Sequence, residues 1–196
     1  HRDIKPDNTM VGEFGETVVL DWGLAKVRGK ADIRSDELAT RLSETASKGQ
    51  TLDGSTIGTP AYMSPEQAEG RLDDVDERSD IWSLGAVLYE LLTARPPFEG
   101  DTAYTVVGKV MRDDVVPVRT VCNEVPQELA AVAEKALQRD RGLRYKTAKQ
   151  MADDVIAYQS GDRVLAYEYS SWELIKRFVQ KNRAAVSITA VALLVL

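Results

Sequence analysis

Asn8 and Asp21 carry the first chemical signal in this sequence, because each stands at one end of a short β-prone run. Residues 9–11 and 17–20 are rich in Thr, Val and Met, and Gly12-Glu13-Phe14-Gly15-Glu16 between them supplies a glycine-bearing turn. That pattern predicts a β-hairpin. A hairpin returns its second strand to the start of its first, so Asn8 and Asp21 converge on one point. An amide oxygen and a carboxylate oxygen are hard ligands, suited to a magnesium ion that keeps waters and phosphate oxygens in its other positions. Asp3, five residues before Asn8, adds a further carboxylate on the same edge. Singly, these residues read as turn formers or members of surface ion pairs. Their joint spacing favours a metal–phosphate site.

Such an edge needs a core behind it. The chain has 196 residues, 43% apolar and 29% charged, enough for one globular domain and a short appendage. A net charge of -6 argues against a general nucleic-acid binder. The single cysteine, Cys122, excludes an internal disulfide and reads as a small core residue.

The elements after the hairpin read as helices. Ser64-Pro65-Glu66-Gln67 has a capping serine, a proline at the first helical position and a glutamine that completes a capping box. Residues 79–92 are apolar nearly all round, which places that helix in the middle of the domain. Arg95-Pro96-Pro97 stops it. Further helices are predicted over 102–112, 126–138 and 147–159, the last with Thr147 and Gln150 as a capping box and Gly161 beyond its end. From Ser171 an amphipathic stretch sets Trp172, Ile175, Phe178 and Val179 against a basic face. Residues 26–57 read as a long polar loop, with one helical turn near 36–42.

Several motifs in order carry a resemblance. His1-Arg2-Asp3-Ile4-Lys5-Pro6-Asp7-Asn8 resembles the catalytic loop of eukaryotic-like (Hanks-type) serine/threonine protein kinases, and Asp21-Trp22-Gly23 stands in the place of that family's D-F-G triplet. Gly58-Thr59-Pro60-Ala61-Tyr62-Met63-Ser64-Pro65-Glu66 resembles the segment ending in A-P-E, and Asp80-Ile81-Trp82-Ser83-Leu84-Gly85 the start of the central helix. Together the motifs cover residues 1 to about 161. Trp22 replaces the usual phenylalanine and Ser64 the usual alanine; the aspartate of the triplet is intact.

The resemblance implies a mainly α fold with a small β-hairpin, the large C-terminal lobe of a protein kinase without its small lobe. It implies ATP and Mg2+ as cofactors and serine or threonine of protein substrates as acceptors. By resemblance Asp3 orients or accepts the substrate hydroxyl proton, Asn8 and Asp21 hold magnesium, and Lys5 neutralises charge on the transferring γ-phosphate. Thr59 belongs to the peptide platform, its hydroxyl bonding the catalytic aspartate. His1, Glu66, Asp80 and Arg144 are structural, Arg144 pairing with Glu66. Arg2 suggests control by a phosphate on the following loop, with Thr51, Ser55 and Thr56 as the favoured acceptors. That loop is longer than the family's usual one. A pseudokinase scaffold and a small-molecule phosphotransferase are the rival readings on the same residues.

The ends add context. His1 falls inside a motif, so the chain reads as a fragment, inactive and prone to aggregate by itself. Residues 184–196 carry no charge and follow Lys176, Arg177, Lys181 and Arg183, which reads as the start of a membrane-spanning helix with its basic side cytoplasmic. The division is then 1–161 catalytic, 162–183 juxtamembrane and 184–196 membrane. The resemblance extends to bacterial transmembrane kinases. It implies an inner-membrane, single-pass protein with a cytoplasmic kinase domain and a homodimer for trans-autophosphorylation.

Overall fold

The computed structural model describes residues 1–27 and 59–181. Within them the fold is mainly helical with one two-stranded antiparallel sheet, in agreement with the fold class read from the sequence. Strands β1 (Thr9–Val11) and β2 (Thr17–Val19) pair with Thr9 opposite Val19 and Val11 opposite Thr17. Gly15 turns the chain at φ +85, a left-handed backbone that a side chain would strain. Regular pairing stops at Val19, one residue sooner than the sequence pattern suggests. The Leu20 amide nevertheless donates to the Asn8 carbonyl at 2.8 Å, closing the open end of the ribbon.

Seven helices follow among the described residues: α1 (Pro65–Ala68), α2 (Glu77–Thr93), α3 (Ala103–Arg112), α4 (Val118–Val121), α5 (Gln127–Ala136), α6 (Ala148–Gln159) and α7 (Ser171–Lys181). Their starts follow from caps. Asp76 accepts the Arg78 amide, Thr102 the Thr105 amide and Thr147 the Gln150 amide, each satisfying an orphan donor of the first turn. Helix α4 was not legible, because one turn of Val-Arg-Thr-Val shows no helical period.

Helix α2 lies between two apolar clusters. Trp82, Ala86 and Tyr89 face Phe98, Val106 and Val110; Ile81 faces Val132, Ala136 and Met151. This fits the central placement read from its all-round apolar sequence, except at Leu91, which is exposed. Gly85 lets α2 approach α5: a Cβ there would stand 2.7 Å from the Cβ of Ala136. Cys122 is half-buried against the first cluster.

After α6 the chain is pinned by Asp154. Its buried carboxylate accepts the Tyr145 hydroxyl and the Leu165 and Ala166 amides, so the crossing to α7 is fixed rather than loose. No helix among the described residues is long and apolar enough to cross a membrane. The uncharged run 184–196 and the helical turn read at 36–42 lie outside the described residues.

Candidate active site

Proline at the start of the 3-10 turn Pro6–Asn8 bends the chain so that Asn8 comes back under Asp3. The Asn8 Nδ2 donates to the Asp3 carbonyl at 2.8 Å and to Asp3 Oδ2 at 2.9 Å. Both amide hydrogens are committed, so the planar side chain turns its Oδ1 the other way. Lys5 Nζ lies 3.4 Å from the same Asp3 Oδ2. A carboxylate, an ammonium and an outward amide oxygen thus occupy one edge.

The hairpin brings the other half. Its register sets Asn8 opposite Leu20, so Asp21 follows directly at the same end. Asp21 adopts φ +56 and accepts the Gly23 amide at 3.2 Å, while its side of the turn remains exposed. Trp22 donates its indole N–H to the Val19 carbonyl at 2.9 Å, a bond that phenylalanine cannot make. Its ring meets His1 edge-on, with centroids 4.8 Å apart. His1 joins the two halves. The Asp3 amide can only donate, so His1 Nδ1 accepts it, and the proton on Nε2 goes to the Leu20 carbonyl at 2.8 Å. His1 is therefore a neutral brace between loop and hairpin.

Arg2 also sits at positive φ, +70, and is buried. Strained backbone of this kind costs on the order of 1–3 kcal/mol and persists only where surroundings dictate it. Here they do. The backbone nitrogens of His1 and Arg2 donate to the two oxygens of Asp80, each at 2.8 Å. The Arg2 carbonyl accepts from Gln67 Nε2 at 2.9 Å, and Arg2 Nε donates to the Leu24 carbonyl. Asp80 on α2 thus holds the loop from below, and the guanidinium is directed to the chain after Gly23.

Gln67 is the residue whose site role the sequence reading missed. Its Oε1 accepts both the Ser64 amide and the Ser64 hydroxyl, so the reverse half of the capping box is present. The same amide group reaches Arg2, coupling the start of α1 to the loop that carries Asp3. Capping alone gave no hint of this, because the partner lies 65 residues away.

Glu66 and Arg144 form a bidentate pair at 2.8 and 2.9 Å, both side chains fully buried. Burial pushes the Glu66 carboxyl up, but the Arg144 hydrogen bonds and charge, with the Ser79 hydroxyl, outweigh it and hold the carboxyl below its ordinary range. Arg144 further donates to the Gln138 and Arg78 carbonyls and lies over the Trp82 ring. Nearby, burial and then the Glu90 carboxylate push the Tyr62 hydroxyl well above its ordinary range, so it stays a donor.

The donor set fits a magnesium–nucleotide group. Magnesium bound to phosphates needs only one or two protein ligands, and Asn8 Oδ1 with the Asp21 carboxylate, at one end of the ribbon, would supply them. Thr59 opens a 3-10 turn, Thr59–Tyr62, and its side chain lies outside the described set. Thr51, Ser55 and Thr56 also lie outside the described residues.

Residues 1–164 match the protein kinase domain family. The serine/threonine-protein kinase PknB of Mycobacterium leprae is 41% identical over 161 residues, covering 82% of this chain and 23% of that protein. PknB of Mycobacterium tuberculosis strain H37Rv is 38% identical over 162 residues, covering 83% and 23%. The chain spans less than a quarter of the length of these curated relatives.

Proposed function

The chain belongs to the protein kinase family, and we propose that the full-length protein transfers the γ-phosphate of ATP to serine and threonine hydroxyls of protein substrates. The observation that carries this reading is the Asp3–Asn8 unit, with Lys5 beside it and Asp21 at the same end of the ribbon. The names of the similar kinases support the serine/threonine class.

Bound ATP with magnesium supplies a γ-phosphoryl group with ADP as the leaving species. Asp3 orients the acceptor hydroxyl and takes its proton as the oxygen–phosphorus bond forms. Lys5 sets a positive charge beside the transferring oxygens. Asn8 and Asp21 would hold the metal, Asn8 kept in place by Asp3 itself. A phosphate on Thr51, Ser55 or Thr56 would pair with Arg2 and secure the segment after Gly23.

The membrane reading is part of the same proposal. Residues 184–196 enter a bilayer as the start of a single span, the catalytic residues lie on the cytoplasmic side of an inner membrane, and two copies phosphorylate each other in trans. What supports it is the uncharged sequence and the four basic residues before it.

The test is phosphoryl transfer by the full-length protein from γ-labelled ATP to a generic basic protein, with acceptor amino acids identified after hydrolysis. Phosphoserine and phosphothreonine are the expected products. Label only on a small-molecule alcohol would favour the phosphotransferase reading. ATP binding without any transfer would favour a pseudokinase.

A further inference from the structure

Helix α7 is fastened to the domain by its polar face. Arg177 donates to the carbonyls of Gly161 and Asp162 at 3.2 and 2.8 Å, reaches Glu128 on α5, and lies over the Tyr169 ring. Glu173, one turn earlier, accepts the Ser170 amide and hydroxyl and the Tyr167 hydroxyl. Residues four apart share a helix face, so this stripe points inward.

The opposite stripe is apolar and uncovered. Trp172, Ile175 and Val179, spaced by three and four, are 72%, 54% and 41% exposed. An amphipathic helix ordinarily buries its apolar side against its own domain. Here that side points away from it, flanked by the exposed Lys176. Tryptophan with aliphatic residues on one face and a lysine at its border is the composition of a helix lying in a lipid headgroup layer.

Chain length identifies the occupant. Only Asn182 and Arg183 separate Lys181 from the uncharged run, a gap the chain spans in at most about 10 Å. If residue 184 enters lipid, the end of α7 lies within that distance of the surface. We propose that the Trp172–Ile175–Val179 face of α7 is seated in the membrane interface while Glu173 and Arg177 grip the catalytic domain, so that α7 sets how the domain stands on the bilayer. The inference rests on the membrane reading of residues 184–196.

The experiment uses full-length protein reconstituted in phosphatidylcholine–phosphatidylglycerol vesicles, with native cysteines replaced and an environment-sensitive fluorophore at Ile175→Cys. Asp114→Cys, at a position 96% exposed by its side chain, serves as the reference. Lipids carrying a shallow doxyl quencher should reduce emission at position 175 at least about twofold and leave position 114 unchanged, as interfacial burial requires. Unquenched emission at 175 in protein that resists carbonate extraction would overturn the inference and leave the membrane reading standing. Extraction of the protein by carbonate would overturn both. Disulfide-linked dimers in a parallel sample of unlabelled Ile175→Cys protein, with no quenching in the labelled sample, would overturn it in favour of a second copy as the occupant.

Discussion

Asn8 gives both hydrogens of its side-chain amide to Asp3, one to the carbonyl and one to the carboxylate. The two residues are thereby a single unit, and in the proposed function the proton-accepting group orients the metal-binding group. Removing either disturbs both, so effects at these positions will not add.

Asn8→Asp keeps an oxygen for the metal but replaces two donors with a carboxylate facing Asp3. Asn8→Ala removes ligand and donors together. Both variants are expected to lower activity by about 10–100-fold, with saturation shifted to higher magnesium. A magnesium titration of initial rates checks this; an Asn8→Asp enzyme of normal rate and normal magnesium dependence would refute the unit.

Trp22→Phe preserves the ring against His1 and deletes the bond to the Val19 carbonyl. One such bond is worth about 0.5–1.5 kcal/mol, so the apparent magnesium affinity should fall by about 2–10-fold. Because Trp22 is largely exposed, the melting temperature should fall by no more than a few degrees. A large thermal shift with unchanged magnesium dependence would assign Trp22 to packing instead.

Arg144→Ala removes the ion-pair partner of the buried Glu66, which costs about 3–5 kcal/mol. Denaturant unfolding of the full-length protein should show its kinase-domain transition lost or shifted far down. The pH dependence has a definite sign. A carboxyl held below its ordinary range stabilises the fold at pH values above that range. That contribution disappears as pH falls through the folded value. Glu66→Gln should therefore flatten the acid limb of the stability profile while lowering stability at neutral pH.

Gly85→Ala opposes two effects. Alanine favours the helix by about 1 kcal/mol, but its Cβ would stand 2.7 Å from that of Ala136. Overpacking between helices costs about 1–3 kcal/mol, so net destabilisation is expected in thermal melts. A rise in melting temperature would show that α2 and α5 separate easily.

Much of the site was legible because its logic is local. The hairpin, the Ser64–Gln67 contact and the cap at Thr147 depend on residues within a few positions of one another. The reach of Gln67 to Arg2, and the grip of Asp80 on two backbone nitrogens, join segments more than 60 residues apart and leave no spacing to read. The orientation of α7 was hidden for a different reason. Its apolar stripe was plain in the sequence, but the face that docks is chosen by Arg177 and its carbonyl acceptors, not by apolar burial.

In the proposed function Asp3 acts on the transferring proton in an otherwise intact domain. The direct measurement is steady-state kinetics of full-length Asp3→Asn against wild type, with unfolding followed on the same samples. The expected result is a fall in kcat of about a hundredfold to ten-thousandfold, with KM for ATP and the unfolding transition little changed. A variant within a few-fold of wild-type kcat would contradict it.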